Sequence, residues 1–240
     1  MVMERITLLR EALIPLYRHL LESVSGFNYE KVTFCAQWGS NFPTKDNAGI
    51  MFVGRATNSW ITCSEDIDVL FGNTDEAIFA RSDQMKWVKD LEGNKEGYNT
   101  RTSAFWRVIK RVSTNFYPYE WYSNIAWSNV CKVAPNKGGN PSNSLYYKQL
   151  NDCQKILEKE IELFSPHFVV MLTGDAWSRD FIIYLNKGEE LKCIFTDSWD
   201  GYNCKVYKIG DVYYIVSEHP QRKPEDSHVH CLINIISRFM

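Results

Sequence analysis

The sequence predicts a three-layer α/β/α sandwich with a central, mainly parallel sheet. Three observations point there. Short apolar runs end on glycine at 49–54 and 167–174, segments of helical period alternate with them, and no long linker divides the chain. Apolar runs of this length suit strands buried on both faces, which is the condition of a parallel sheet between two helix layers. With 240 residues, 45% of them hydrophobic and 14% aromatic, the chain holds enough apolar material for one sizeable core. We expect a single domain over 1–240, in which 1–48 forms an N-terminal helix and an irregular lead-in.

Taken in order, residues 3–24 place Ile6, Leu9, Leu13, Leu16, Leu20 and Leu21 mostly three or four apart, a one-faced helix with Pro15 as the point for a kink. Residues 26–48 are rich in Gly, Asn, Pro and aromatics and read as irregular. Gly49–Gly54 is the first buried strand, followed by a tight turn. A mixed polar stretch over 55–100 contains a short helix near Asp83–Leu91, and 102–115 form a helix with Phe105, Trp106 and Ile109 on its apolar side.

The second strand is expected over 123–133, running into a Pro/Asn/Gly-rich loop. Ser144 then caps an amphipathic helix that reaches Phe164 and turns Leu150, Cys153, Ile156, Leu157 and Ile161 inward. His167–Gly174 is another buried strand, followed by a helix over Asp175–Leu185. A hairpin spans 203–218 around Gly210 and Asp211, and an apolar helix covers Val229–Phe239. In such a sheet the ligand cleft lies beyond the carboxyl ends of the strands. Here those ends are Gly54 onward, Asn129 to Asn136, Gly174–Asp175 and Glu218–Pro220.

Charge and cysteine content narrow the function. Lys and Arg total 27 against 29 Asp and Glu, a formal net charge of −2. Dedicated nucleic-acid binders usually carry a basic excess, so bulk charge alone does not point to one. Seven scattered cysteines without a CxxC pair argue for reduced thiols, not a disulfide framework. No stretch approaches the ~18 apolar residues of a membrane span, and charged residues interrupt every apolar run near the N-terminus. No membrane association is expected, and the cytoplasm is the default compartment. His228, His230 and Cys231 lack zinc-like spacing, so no metal is expected. No GxSxG, P-loop or GxGxxG motif occurs.

The strand ends together resemble the uracil-DNA glycosylase superfamily. Gly54-Arg55-Ala56-Thr57-Asn58 occupies the place of its first motif, and NVCKVAPNKGGNP at 129–141 is similar to the strand whose asparagine reads the base. LFSPHFVVMLTGDAW at 163–177 resembles its proline-led apolar strand, and Ser217-Glu218-His219-Pro220 its final His-Pro motif. The resemblance implies an N-glycosidic bond hydrolase of DNA repair, with DNA or a nucleobase-containing ligand as partner and no cofactor. By this likeness His219 stabilises the departing base and Asn129 reads its edge. Gly54, Arg55, Ala56 and Thr57 hold the base or a phosphate, while Trp60 or Phe71 stacks on it. Lys132, Lys137, Arg222 and Lys223 are the expected phosphate contacts.

The first motif departs from the family pattern, having neither the usual acid or asparagine nor the proline. Arg55 near the sugar would oppose a developing oxocarbenium ion, but it suits an anionic leaving group or a phosphate. Asn58 is the nearest candidate to orient water, and the Ser64-Glu65-Asp66 carboxylates come next. Cys131 is offset from the position of an iron–sulfur ligand in some branches, and no N-terminal cysteine pair exists, so no metal cluster is expected. A catalytically silent module that binds a nucleobase, nucleotide or single-stranded nucleic acid in the same pocket is the alternative.

Overall fold

The structure is a computed structural model that describes residues 2–43, 48–58, 60, 65–72, 79, 81 and 83–240, with side chains from residue 6 onward. The chain begins with helix α1 (Val2–Val24), which contains Pro15. Two very short strands follow, β1 (Lys31–Thr33) and β2 (Gln37–Trp38), then the buried strand β3 (Ile50–Gly54). After the short helices α2 (Ile67–Phe71) and α3 (Trp87–Asp90) come α4 (Ala104–Phe116), β4 (Ile125–Asn129) and β5 (Val133–Pro135). The second half is α5 (Asn143–Phe164), β6 (Phe168–Leu172), α6 (Asp175–Leu185), β7 (Phe195–Trp199), β8 (Tyr202–Ile209), β9 (Val212–Ser217) and α7 (Glu225–Phe239).

One seven-stranded sheet runs in the order β2-β4-β3-β6-β9-β8-β7. Its centre is parallel: β3 pairs with β4 and with β6, and β6 with β9. Strands β2, β8 and β7 attach antiparallel at the flanks. Because successive strand residues face opposite ways, the central strands feed two cores. Met51, Val53, Ala126, Val169 and Met171 pack with α1, α5 and α6 on one face. Ile50, Phe52, Ile125, Val170 and Leu172 pack with α4 and α7 on the other. The expected α/β/α sandwich is therefore the observed architecture.

Several boundaries differ from expectation, each for a long-range reason. The lead-in is not wholly irregular, since β1 pairs with β5 and β2 with β4. Strands of two or three residues carry no readable period. The segment expected as one strand over 123–133 bends after Asn129, where Val130 N–H donates to Gly54 O and Cys131 N–H to Arg55 O, both at 2.9 Å. Ser142, not Ser144, caps α5, its hydroxyl accepting from Leu145 N–H. Edge strand β7 escaped notice because its alternation has only one buried residue, Trp199. The C-terminal helix starts earlier, at Glu225, with two acids in its first turn where the helix dipole favours them. The six described cysteines are free thiols.

Candidate functional site

Parallel pairing puts the residues that follow β3, β4, β6 and β9 along one edge of the sheet. A cavity of about 650 Å³ opens there, lined among others by Gly54, Arg55, Ala56, Thr57, Asn58, Asn129 and His219. Its wall is strongly aromatic. Trp127 from β4 lies 5.4 Å from Trp60, 5.8 Å from Trp87 and 4.9 Å from Trp106, ring centroid to ring centroid. Among the described residues no carboxylate lines this cavity, whereas Arg55, Arg81, Arg107 and Arg222 do. Two of those guanidiniums are engaged by acids at its margin, Arg81 by Asp83 and Arg107 by Glu225.

Gly54 and Asn129 are register partners at the ends of β3 and β4. A Cβ on Gly54 would lie 2.5 Å from Asn129 Oδ1 and 3.2 Å from the Phe105 ring, so glycine is what admits both side chains. The Asn129 side chain is buried and its Nδ2 has no hydrogen-bond partner, as is also true of Thr57 Oγ1. Buried polar groups are normally paired, and an unpaired one costs about 1–3 kcal/mol. Two such groups in one cavity wall are a reason to expect a polar ligand.

His219 follows β9. Its Nδ1 accepts from Gln221 N–H at 3.3 Å, which leaves the proton of the neutral ring on Nε2. Burial pushes its pKa down to about 4, with Arg55 and Lys223 acting in the same direction. The imidazole is thus a neutral hydrogen-bond donor at neutral pH. Phe105 stacks beside it at 6.0 Å and 12° between planes. Phe105 was seen in the sequence only as a core-facing helix residue, because its closeness to His219 depends on how α4 packs.

The Arg55 guanidinium turns toward β6. Its Nε donates to Thr173 O at 2.6 Å and its Cζ stands 5.7 Å over the Trp177 ring. Burial lowers its pKa while the Glu218 carboxylate works against that shift. Asn58 is exposed, and its Oδ1 accepts from Gly139 N–H at 3.2 Å, tying the first-motif loop to the loop before α5. Trp60 is in the cavity wall. Exposed Arg222 is at the cavity mouth, with a left-handed backbone of φ 60°. Lys223 folds back to donate to His219 O at 3.1 Å. Lys137 is exposed on its loop and does not line the cavity.

Three expectations are corrected. Lys132 does not reach outward to phosphate: its ammonium is wholly buried, 2.7 Å from Glu160 Oε2 and 2.6 Å from Ser128 Oγ. The bend after Asn129 turns this lysine under the sheet edge. Phe71 is not a stacking platform, since it is buried against Tyr17 at 5.1 Å and Phe79 at 4.8 Å. Glu65 and Asp66 are occupied elsewhere. Glu65 pairs with Lys31 at 3.0 Å, and Asp66 caps α2 by accepting from Asp68 N–H at 2.8 Å. Ser64 lies outside the described residues. Among the described residues, no group of three or more His, Cys, Asp or Glu is placed to hold a metal, and no helix is long and apolar enough to cross a membrane.

An aromatic, donor-rich cavity thus lies beyond the parallel strand ends of an open α/β sheet, the edge at which such sheets commonly hold their ligands. The family model of the Uracil DNA glycosylase superfamily matches residues 31–224, from β1 to the residue before α7. The chain belongs to that superfamily. No curated protein matches it in sequence.

Proposed function

We propose that the cavity receives a nucleobase turned out of a DNA strand and hydrolyses its N-glycosidic bond slowly, with uracil as the expected base and DNA repair as the setting. The observation that carries this reading is His219, held neutral with its Nε2–H free to donate while Nδ1 is engaged by Gln221. As the C1′–N bond breaks, its electron pair passes to the base, and a fixed donor near the base oxygen stabilises that anion. Asn129 Nδ2 would find its missing partner on the edge of the base. Phe105 and the tryptophan wall offer faces for stacking. Water then adds to C1′ and loses its proton to solvent, leaving a free base and an abasic sugar.

The slowness follows from charge. No described carboxylate lines the cavity to steady the oxocarbenium ion or take the proton from water, and Asn58 Oδ1 is already engaged by Gly139. Arg55 serves the anionic base and not the cationic sugar, although its hydrogen bond to Thr173 O and the charge of Glu218 draw it toward β6. The missing carboxylate equally favours a second reading, a silent module that binds the base without cutting.

The test is release of free base from uracil-containing single- and double-stranded DNA, run beside a binding titration. Weak excision that His219→Ala removes, with binding retained, supports the enzyme. Binding without excision supports the silent module. Robust excision that survives His219→Ala defeats the mechanism.

A further inference from the structure

Beside the cavity, the same sheet edge carries a run of accessible rings. It starts at Arg55, a cavity residue whose guanidinium stands 5.7 Å over Trp177 in the first turn of α6. Trp177 meets Tyr146 at 5.1 Å and 82°, and Tyr146 meets Tyr147 at 5.3 Å and 77°. Tyr146 is held in place by its hydroxyl, which donates to Asp180 Oδ2 at 3.1 Å. Tyr147 has no such anchor and is 70% exposed, one of the most exposed large side chains described. Trp177 and Tyr146 are half-buried.

The charges around these rings are mixed: exposed Lys148 follows Tyr147 and Arg55 stands over Trp177, but acids lie close by. Asp175 and Asp180 lie on the same helix, and the nearby ammonium of Lys205 is already paired with Asp175. The protein as a whole carries a net charge of −2. A nucleic acid bound here would be held chiefly by its base faces, because aromatic rings accept any base, with Arg55 and Lys148 as the cations able to meet its phosphates. A duplex hides its base faces in the stack, whereas a single strand presents them.

We propose that Trp177, Tyr146 and Tyr147 form a stacking track for the single-stranded DNA that flanks the base held in the cavity. The proposal rests on the cavity being a nucleobase site, and it extends that site by continuity through Arg55. It makes single-stranded DNA the preferred partner, with an affinity that falls as salt rises.

The experiment is fluorescence anisotropy with a labelled single strand and the matching duplex, each with and without uracil, at low and high salt. Tyr147→Ala and Trp177→Ala are compared with Tyr119→Ala. Tyr119 is 86% exposed and sits ahead of β4, at the amino end of the sheet, so it controls for the mere loss of a surface tyrosine. The expected result is a loss of about fivefold or more in single-strand affinity for each track variant. Duplex binding and the Tyr119→Ala protein should be unchanged. Equal binding of single strand and duplex by the unaltered protein would overturn the proposal, as would track variants that bind the single strand as tightly as Tyr119→Ala. Ring-dependent binding of uracil-free single strands without any base excision would uphold the track while the enzymatic reading fails, which keeps the two failures distinct.

Discussion

The rings of Phe105 and His219 lie 12° from parallel with their centroids 6.0 Å apart, though one belongs to α4 and the other to the loop after β9. Phe105 also borders the space a Cβ on Gly54 would fill, so the ends of β3, β4 and β9 meet around one phenyl ring. A planar ligand entering here would find an aromatic face, a neutral imidazole donor and an unpaired amide within one wall.

Stability should fall on acidification between about pH 6.5 and pH 3. Burial depresses the pKa of His219 to about 4 and that of His228 to about 3. Both lie below the ~6.5 of an unfolded histidine. As the pH drops through that window the unfolded chain takes up protons first, so the stabilisation present above pH 6.5 is lost progressively. Melting temperature measured against pH checks this. Replacing His228, which bonds Ser217 Oγ at 2.8 Å and stacks on Trp199 at 3.9 Å, with Gln should flatten the slope. An identical pH profile in His228→Gln would show that burial of this ring does not drive it. Any excision that depends on neutral His219 should also persist unchanged from pH 8 down to about pH 5.

Gly54→Ala should damage the site more than the fold. The added methyl would sit 2.5 Å from Asn129 Oδ1 and 3.2 Å from Phe105, so one of them must shift. Overpacking of this kind costs about 1–3 kcal/mol, which a folded domain tolerates. Urea unfolding should register that loss, while binding of a uracil-containing strand should fall at least as far as in Asn129→Ala. Binding equal to that of the unaltered protein would separate Asn129 and Phe105 from ligand recognition.

Lys132→Met should destabilise the protein by about 3–5 kcal/mol, because it strands the buried Glu160 carboxylate. Adding Glu160→Leu should restore much of the loss, since removing both charges removes the unpaired one. Chemical denaturation of the two variants tests the cycle. The salt dependence of DNA binding in the double variant should match that of the unaltered protein, as a wholly buried ammonium cannot release counterions. A shallower slope would return Lys132 to the DNA surface.

Much of the fold was legible because local pattern and global architecture agree. The runs at β3 and β6 are apolar without alternation, as burial on both faces demands, and their terminal glycines mark where the chain leaves the sheet. The Asn129 and His219 landmarks came from their likeness to the superfamily's motifs, and a parallel sheet explains why they meet: it sends the ends of its strands to one edge. The chain itself thus determined the layered sheet, the edge where its parallel strands end and the motif residues that gather there.

Only the tertiary structure decided what surrounds those residues. Lys132 and Phe71 look available in one dimension, but a bend after Asn129 buries the first against Glu160 and helix packing buries the second against Tyr17. Phe105, Trp87 and Trp106 enter the cavity wall from elements whose partners lie far away in sequence. The protonation of His219 is likewise a property of its burial and of Arg55, more than 160 residues earlier in the chain. Periodicity is set by neighbours along the chain and can be read there. Burial, electrostatic environment and side-chain contact are set by neighbours in space, which no single stretch of sequence names.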